Sequence, residues 1–406
     1  MAEEEEGKRV IRFTEDLLKL LSKYQEVELE DVYIEAEELE IRLPPPTVIS
    51  AAPPPAAVPP VRVKPTELLE VEFTPPVMEY PGRVLEVTIG ATKSEGGTRG
   101  KTYTVGGETS PPFYLFERPP PHPVVISLDV FDSKIPLPKA LKMHVKDVIG
   151  HPAEWARMAV EKFNADMITI HLMSIDPLRE NAPPEQAAKT VEEVLQAVDV
   201  PIIVGGCGDP KKDLEVFEKV AEVTAGERVV MSTITLEMDL DRAGKMLKES
   251  NNIALCLTPI ELNMARELNR KLYEYIPKEN ILMDLTTAAL GYGIEYTFTI
   301  FERARLAALM GDPELPHPIL CGGTNAWAAR EAWMKESELG PQWGPRELRG
   351  PLWETITCIT HLLAGADVIM MMHPAAYRTV KEVAKQLLKY RTAKAEDIEN
   401  WVSTKI

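Results

Sequence analysis

Eight compact apolar runs recur along the chain: VVISLDV from Val124, MITIHL from Met167, PIIVGG from Pro201, RVVMST from Arg228, NIALCL from Asn252, ILMDL from Ile281, PILCGG from Pro318 and DVIMMM from Asp367. Each is apolar at consecutive positions, so both faces of the extended chain must be buried, the requirement of a parallel sheet covered by helices. Between them lie amphipathic segments that open on proline at Pro152, Pro183, Pro210 and Pro374. Proline is at home in the first turn of a helix, where its missing N–H costs nothing. Eight strand–helix units over about 270 residues match the size of a (β/α)₈ TIM barrel, and a doubly wound sheet of eight strands is the less economical solution. The expected fold is therefore an α/β barrel over residues 124–391.

The flanks read differently. Residues 1–43 suggest a small α+β appendage, and residues 44–65 (PPPTVISAAPPPAAVPPVRVKP) a semi-rigid linker in which repeated proline favours polyproline II. Residues 66–123 alternate in short extended pieces. LEVTIGAT and KTYTVGG, separated by KSEGGTRG, predict a β-hairpin extension. Its basic, glycine-rich turn carries Lys93, Arg99 and Lys101, which either hold an anion or, the preferred reading, belong to a hairpin that plugs the amino-terminal end of the barrel or meets another subunit. Residues 392–406 form a tail.

Charge and cysteine content narrow the function. Lys and Arg total 45 against 63 Asp and Glu, a net charge of −18, which argues against nucleic acid or anionic membrane as main partner. No run approaches the ~20 apolar residues of a membrane span, and MAEEEEGKR is acidic where a secretory signal is basic then apolar, so the expected location is cytoplasmic. The four cysteines, Cys207, Cys256, Cys321 and Cys358, are too dispersed for a cluster-binding or zinc-binding run. Neither GxxxxGK[ST] nor a GxGxxG fingerprint in a nucleotide-binding context is present.

In a barrel of this kind function gathers where the strands end. Those ends carry Asp129 and Asp132; His171, Ser174 and Asp176; Gly205, Gly206, Cys207, Gly208 and Asp209; Ser232 and Thr233; Thr258 and Asn263; Asp284, Thr286 and Thr287; CGGTN; and His373. Asp129 and Asp284 could pair as acid and base, but helix capping is the commoner use of such aspartates. His171 and His373 could ligate a metal, and Cys207 could be a nucleophile, although a packed thiol is the plainer reading. The glycines of VGGCGD and LCGGTN either admit a large ligand to the backbone or simply turn tightly.

Taken together, GATKSEGGTRGKTYTVGGETSPPF, VPIIVGGCGDPKKD, LGYGIEYTFTIFERARLAALMGD and GPLWETITCITHLLAGADVIMMMHP resemble one family over about Val87 to Leu388. It is the small subunit of the corrinoid/iron–sulfur protein, the delta subunit of archaeal acetyl-CoA decarbonylase/synthase complexes. The resemblance implies a non-catalytic barrel paired with a large (gamma) subunit, which brings a [4Fe–4S] cluster and the corrinoid domain. It also implies work beside the acetyl-CoA synthase and CO dehydrogenase components, with the methyl group passing between a methyl-tetrahydropterin and the nickel centre of acetyl-CoA synthase. The dispersed cysteines agree with a chain that holds no cluster, and no DxHxxG corrinoid signature occurs. By strand-end position, Gly205, Gly206, Thr286, Gly322, Gly323 and Thr324 are the expected corrinoid-facing residues. Two alternatives stay open: a pterin-binding barrel methyltransferase acting on its own, using Asp209 or Asp284, and a metal-dependent lyase using His171, His373 and a rim carboxylate.

Overall fold

A computed structural model describes residues 76–389. The expected appendage (1–43), linker (44–65) and tail (392–406) lie outside the described residues, as do the first positions of the hairpin extension.

Each of the eight apolar runs becomes a strand: β3 (Val125–Phe131), β4 (Met167–His171), β5 (Ile202–Gly205), β6 (Val230–Ile234), β7 (Ile253–Leu257), β8 (Ile281–Asp284), β9 (Ile319–Gly322) and β10 (Ala366–Met371). All pair in parallel, and β10 closes on β3 to complete the barrel. The helices are α1 (Lys139–Val145), α2 (Pro152–Phe163), α3 (Pro184–Ala197), α4 (Pro210–Val223), α5 (Leu240–Ser250), α6 (Leu262–Leu272), α7 (Ile294–Leu309), α8 (Arg346–Leu363) and α9 (Pro374–Leu387). Proline opens α2, α3, α4 and α9, with Pro183 standing one place ahead of the first helical residue of α3.

Strand alternation sorts the side chains into two cores. Ile126, Leu128, Ile168 and Ile170 point outward into one cluster with helix residues such as Trp155 and Val191. Val125, Met167, Ile203, Val230, Ile253, Leu282, Leu320 and Val368, all near strand starts, fill the inside.

The inner core has an additional contributor. A hairpin of β1 (Val87–Ile89) and β2 (Tyr103–Val105) places Val87, Ile89 and Val105 in the same cluster as the strand starts, so it stoppers the amino-terminal end of the barrel. Burying side chains of that size contributes about 1.5–3 kcal/mol each. The turn's Arg99 is consumed internally: it donates to the carbonyls of Leu195 (2.9 Å), Val198 (2.7 Å) and Val200 (3.2 Å) and to Glu227 (2.9 Å). Unpaired carbonyls at the end of α3 thereby gain a donor. Lys93 and Lys101 remain exposed. With one end closed, the opposite mouth is where a ligand can meet the barrel interior.

Candidate functional site

The alternation that fills the barrel also decides which residues face its carboxyl-end mouth. Two positions beyond each inner-core residue stand Asp129 (above Ser127), Gly205, Ser232, Leu257, Asp284, Gly322 and Met370, with His171 above Thr169. One level down, Ser127 and Thr169 share a 2.7 Å hydrogen bond that closes the floor.

Asp129 is the centre of this ring. Its Oδ2 accepts from the Thr324 hydroxyl, which joins β3 to the turn after β9. Nε2 of His171 lies 3.1 Å from the same oxygen, within ion-pair range but off the line of a hydrogen bond. The His171 ring stacks on Phe131 at 5.0 Å between centroids, which fixes its plane. The other carboxylate oxygen, Oδ1, is buried and has no hydrogen-bond partner among the described residues; neither has the Thr258 hydroxyl. Buried acceptors left empty cost stability, which makes them markers of an absent donor.

Asp284 faces the mouth from the other side. Burial pushes its carboxyl up to about 6, although the Thr286 N–H, 2.8 Å from Oδ1, partly offsets the effect. Thr286 itself sits at φ 72°, a left-handed conformation that a β-branched residue adopts only under constraint. Its hydroxyl donates to the Thr258 carbonyl at 3.2 Å, which holds it there.

The predicted glycines divide in two. Gly322 has room, since the nearest atom to an added Cβ would be Asn325 Nδ2 at 3.4 Å, an ordinary contact. At Gly205 an added Cβ would press on His171 Nδ1 at 3.1 Å. At Gly206 and Gly323 a side chain would overlap the Asp213 carboxyl and the Cys358 Sγ respectively, so packing inside the chain already accounts for their bareness. Asp213 explains the GGCGD turn, because it accepts the N–H groups of Cys207 and Gly208 at 2.8 and 2.9 Å.

Other candidates resolve into structural roles. Asp209 caps α4 by accepting from Lys211 and Lys212, and Asp132 accepts from Ser174. Burial pushes the Cys207 thiol up to about 11, far from a thiolate nucleophile at neutral pH. His171 and His373 belong to different clusters: His373 caps α9 through Ala375 and packs on His144 and Trp327, and burial lowers it to about 4. Among the described residues no three His, Cys, Asp or Glu side chains converge as a metal site.

Comparison with known proteins is decisive at this point. The model of the CO dehydrogenase/acetyl-CoA synthase delta subunit family matches residues 86–339. The chain belongs to that family. It is 49% identical over 364 residues to the acetyl-CoA decarbonylase/synthase complex subunit delta of Archaeoglobus fulgidus, covering 88% of this chain and 80% of the relative. Subunit delta 1 of Methanosarcina thermophila is 48% identical over 334 residues, covering 81% and 76%. Among solved structures, dihydropteroate synthase from Thermus thermophilus aligns at 14% identity with a TM-score of 0.47, covering 74% of this chain and 99% of that one.

In this delta-subunit family member, two mouth features escape sequence reading. Glu354 of α8 is fully buried and accepts the Met372 and His373 N–H groups at the end of β10; burial, with Asp129 nearby, pushes it up to about 8. Phe131 orients His171. A glutamate at a core position of an amphipathic helix is the only local signal for the first, and stacking across two strands has none. Among the described residues no helix is long and apolar enough to cross a membrane.

Proposed function

We propose that this chain is the non-catalytic subunit that covers a corrinoid carried by a large iron–sulfur subunit, within an acetyl-CoA decarbonylase/synthase complex that also contains acetyl-CoA synthase and CO dehydrogenase components. Membership of the delta-subunit family supports the setting. The observation that carries the local reading is that the buried Oδ1 of Asp129 and, across the mouth, the buried Thr258 hydroxyl have no hydrogen-bond partner among the described residues, because the rim of a corrinoid is fringed with amide N–H donors.

The residues present fit such a group. Asp129, Thr258, Thr286 and Thr324 would receive its edge, and Gly205 and Gly322 keep the approach low. The corrinoid's cobalt, when bound, supplies the centre that takes and releases the methyl group. This chain's residues orient and shield: the ring of Asp129, His171 and Asp284 sets the polarity of the mouth, while the hairpin closes the far end against water. The partner brings the iron–sulfur cluster; the four dispersed cysteines here are accounted for by packing in three cases and by a raised thiol in the fourth.

Anaerobic co-purification tests the reading. The chain alone is expected to be colourless and the pair to carry cobalt and iron–sulfur absorbance; Gly322→Trp, which fills the mouth, is expected to slow methyl transfer by the pair at least about tenfold, a barrier change near ~1.4 kcal/mol. Normal transfer by that variant refutes it. A second reading, a barrel that binds the methyl-pterin itself, is favoured only by the raised, inward Asp284 carboxyl. Saturable binding of methyl-tetrahydropterin to the isolated chain would establish it instead.

A further inference from the structure

Three arginines are buried among the described residues, and two of them are matched by acids. Arg99 meets Glu227 at 2.9 Å, and Arg305 lies between Asp367 at 2.8 Å and Glu108 at 2.6 Å. Arg349 is the exception: it is 3% exposed, yet no carboxylate pairs with it among the described residues. Only its Nη1 has partners there, the carbonyls of Glu331 at 3.3 Å and Met334 at 3.2 Å, and its enclosed Nε has none. Taking a guanidinium out of water without a counter-charge is costly, so a buried cation left in this state marks a missing anion.

The surroundings of Arg349 can take one. It is the fourth residue of α8, and helical side chains lean toward the amino terminus, which brings the guanidinium to the positive end of the helix dipole. There it lines a cleft of about 410 Å³ together with Glu336, Gly340, Gly344 and the Pro345 that precedes the helix. A neighbouring cleft of about 230 Å³ shares Glu336 and adds Lys139, Lys335 and Arg346. Glu336 is the carboxylate nearest to hand, but it is exposed and its Oε1 faces the Arg346 N–H at 3.4 Å, so it leaves Arg349 unmatched.

We propose that the cleft at the start of α8 is a phosphate-binding site in which the Arg349 guanidinium holds the anion, with Arg346 and Lys335 supplying further positive charge. A guanidinium fork offers parallel N–H donors to two oxygens of one phosphate, and a helix amino terminus favours the same group. The volume lies within the ~300–1,000 Å³ of small-molecule sites, so the cleft has room for a phosphate carried on an organic group as well as for the free ion. The site goes beyond the reading of the mouth but is tied to it by a chain of contacts. Arg346 Nη2 donates to the Trp333 carbonyl at 2.6 Å, and the Trp333 indole N–H donates to the Trp327 carbonyl at 2.6 Å. Trp327 belongs to the same turn, Gly323–Ala328, as Thr324, the partner of Asp129. An anion in the cleft would therefore fasten the segment that carries one of the mouth's own residues.

The test titrates the full-length chain by calorimetry, at constant ionic strength, with inorganic phosphate, phenyl phosphate and, as a carboxylate control, acetate. Both phosphates are expected to bind saturably at one site and acetate at least about tenfold more weakly. Arg349→Gln is expected to weaken phosphate binding at least about tenfold, Glu336→Gln to tighten it by about twofold or more, and Lys219→Gln on α4 to leave it unchanged. Hydrogen exchange on the unmodified chain is expected to slow over 331–349 when phenyl phosphate is added, a readout independent of how the Arg349 variant folds. Tighter phenyl phosphate assigns the group to an ester and tighter inorganic phosphate to the free ion, and either upholds the site. Acetate binding as tightly as phosphate, no saturable binding of either phosphate, or binding that neither responds to Arg349→Gln nor slows exchange over 331–349 overturns the inference. The corrinoid reading of the mouth stands or falls separately, on co-purification with the large subunit.

Discussion

Replacing Asp284 with asparagine isolates what the mouth costs the fold. The carboxyl is pushed from 3.8 to about 6 by burial, and its Oδ1 already accepts the Thr286 N–H, a bond that an asparagine oxygen can keep. Because the folded value lies above the unfolded one, ionisation is resisted only in the folded protein. Below pH 3.8 the group is protonated in both states and exacts nothing; as the pH rises through 6 the penalty grows to its full size. At 1.36 kcal/mol per unit, 6 − 3.8 corresponds to about 3 kcal/mol. Asp284→Asn is therefore expected to leave stability near pH 4 almost unchanged and to raise it by about 3 kcal/mol at pH 7.5. Urea unfolding of both proteins at the two pH values measures this, since other carboxylates titrate alike in each and cancel. If the mouth uses the charge, methyl transfer by the assembled pair falls in the same variant. A pH-independent difference, or an asparagine variant less stable at pH 7.5, would refute the reasoning.

Two further substitutions probe how the closed end and the strand-end glycines work. Arg99→Ala strips the donor from three carbonyls around the end of α3 and leaves Glu227 buried without its cation, so a loss of about 3–5 kcal/mol is expected in denaturant unfolding; adding Glu227→Gln should recover part of it. Gly323→Ala drives a methyl group into Cys358 Sγ and is expected to cost about 1–3 kcal/mol, whereas Gly322→Ala next to it should stay within about 0.5 kcal/mol; equal effects at the two sites would discard the distinction drawn between them.

The barrel was readable because its signal is redundant. Eight doubly apolar runs, each followed by a helix-forming segment, leave few other ways to bury so much surface, and all eight became strands in the expected order. Proline placement carried the starts of four helices for the equally local reason that a first-turn position needs no N–H. The site was less legible. Its residue types were visible at the strand ends, but that Asp209 caps α4 and that Gly206 and Gly323 lie against the Asp213 carboxyl and the Cys358 Sγ became visible only in the folded chain.

By itself, then, the amino-acid order determined period, face and length: which segments are strands, which end of each is the rim, and that a hairpin precedes the barrel. Family resemblance in long strings did the same for kinship. Closure decided the rest, because it brings Thr324 to Asp129 across 195 positions, sets His171 on Phe131, buries Glu354 behind β10 and packs α7 against α8. Such pairings depend on distance and desolvation between residues remote in sequence, and those quantities exist only after the chain has closed on itself.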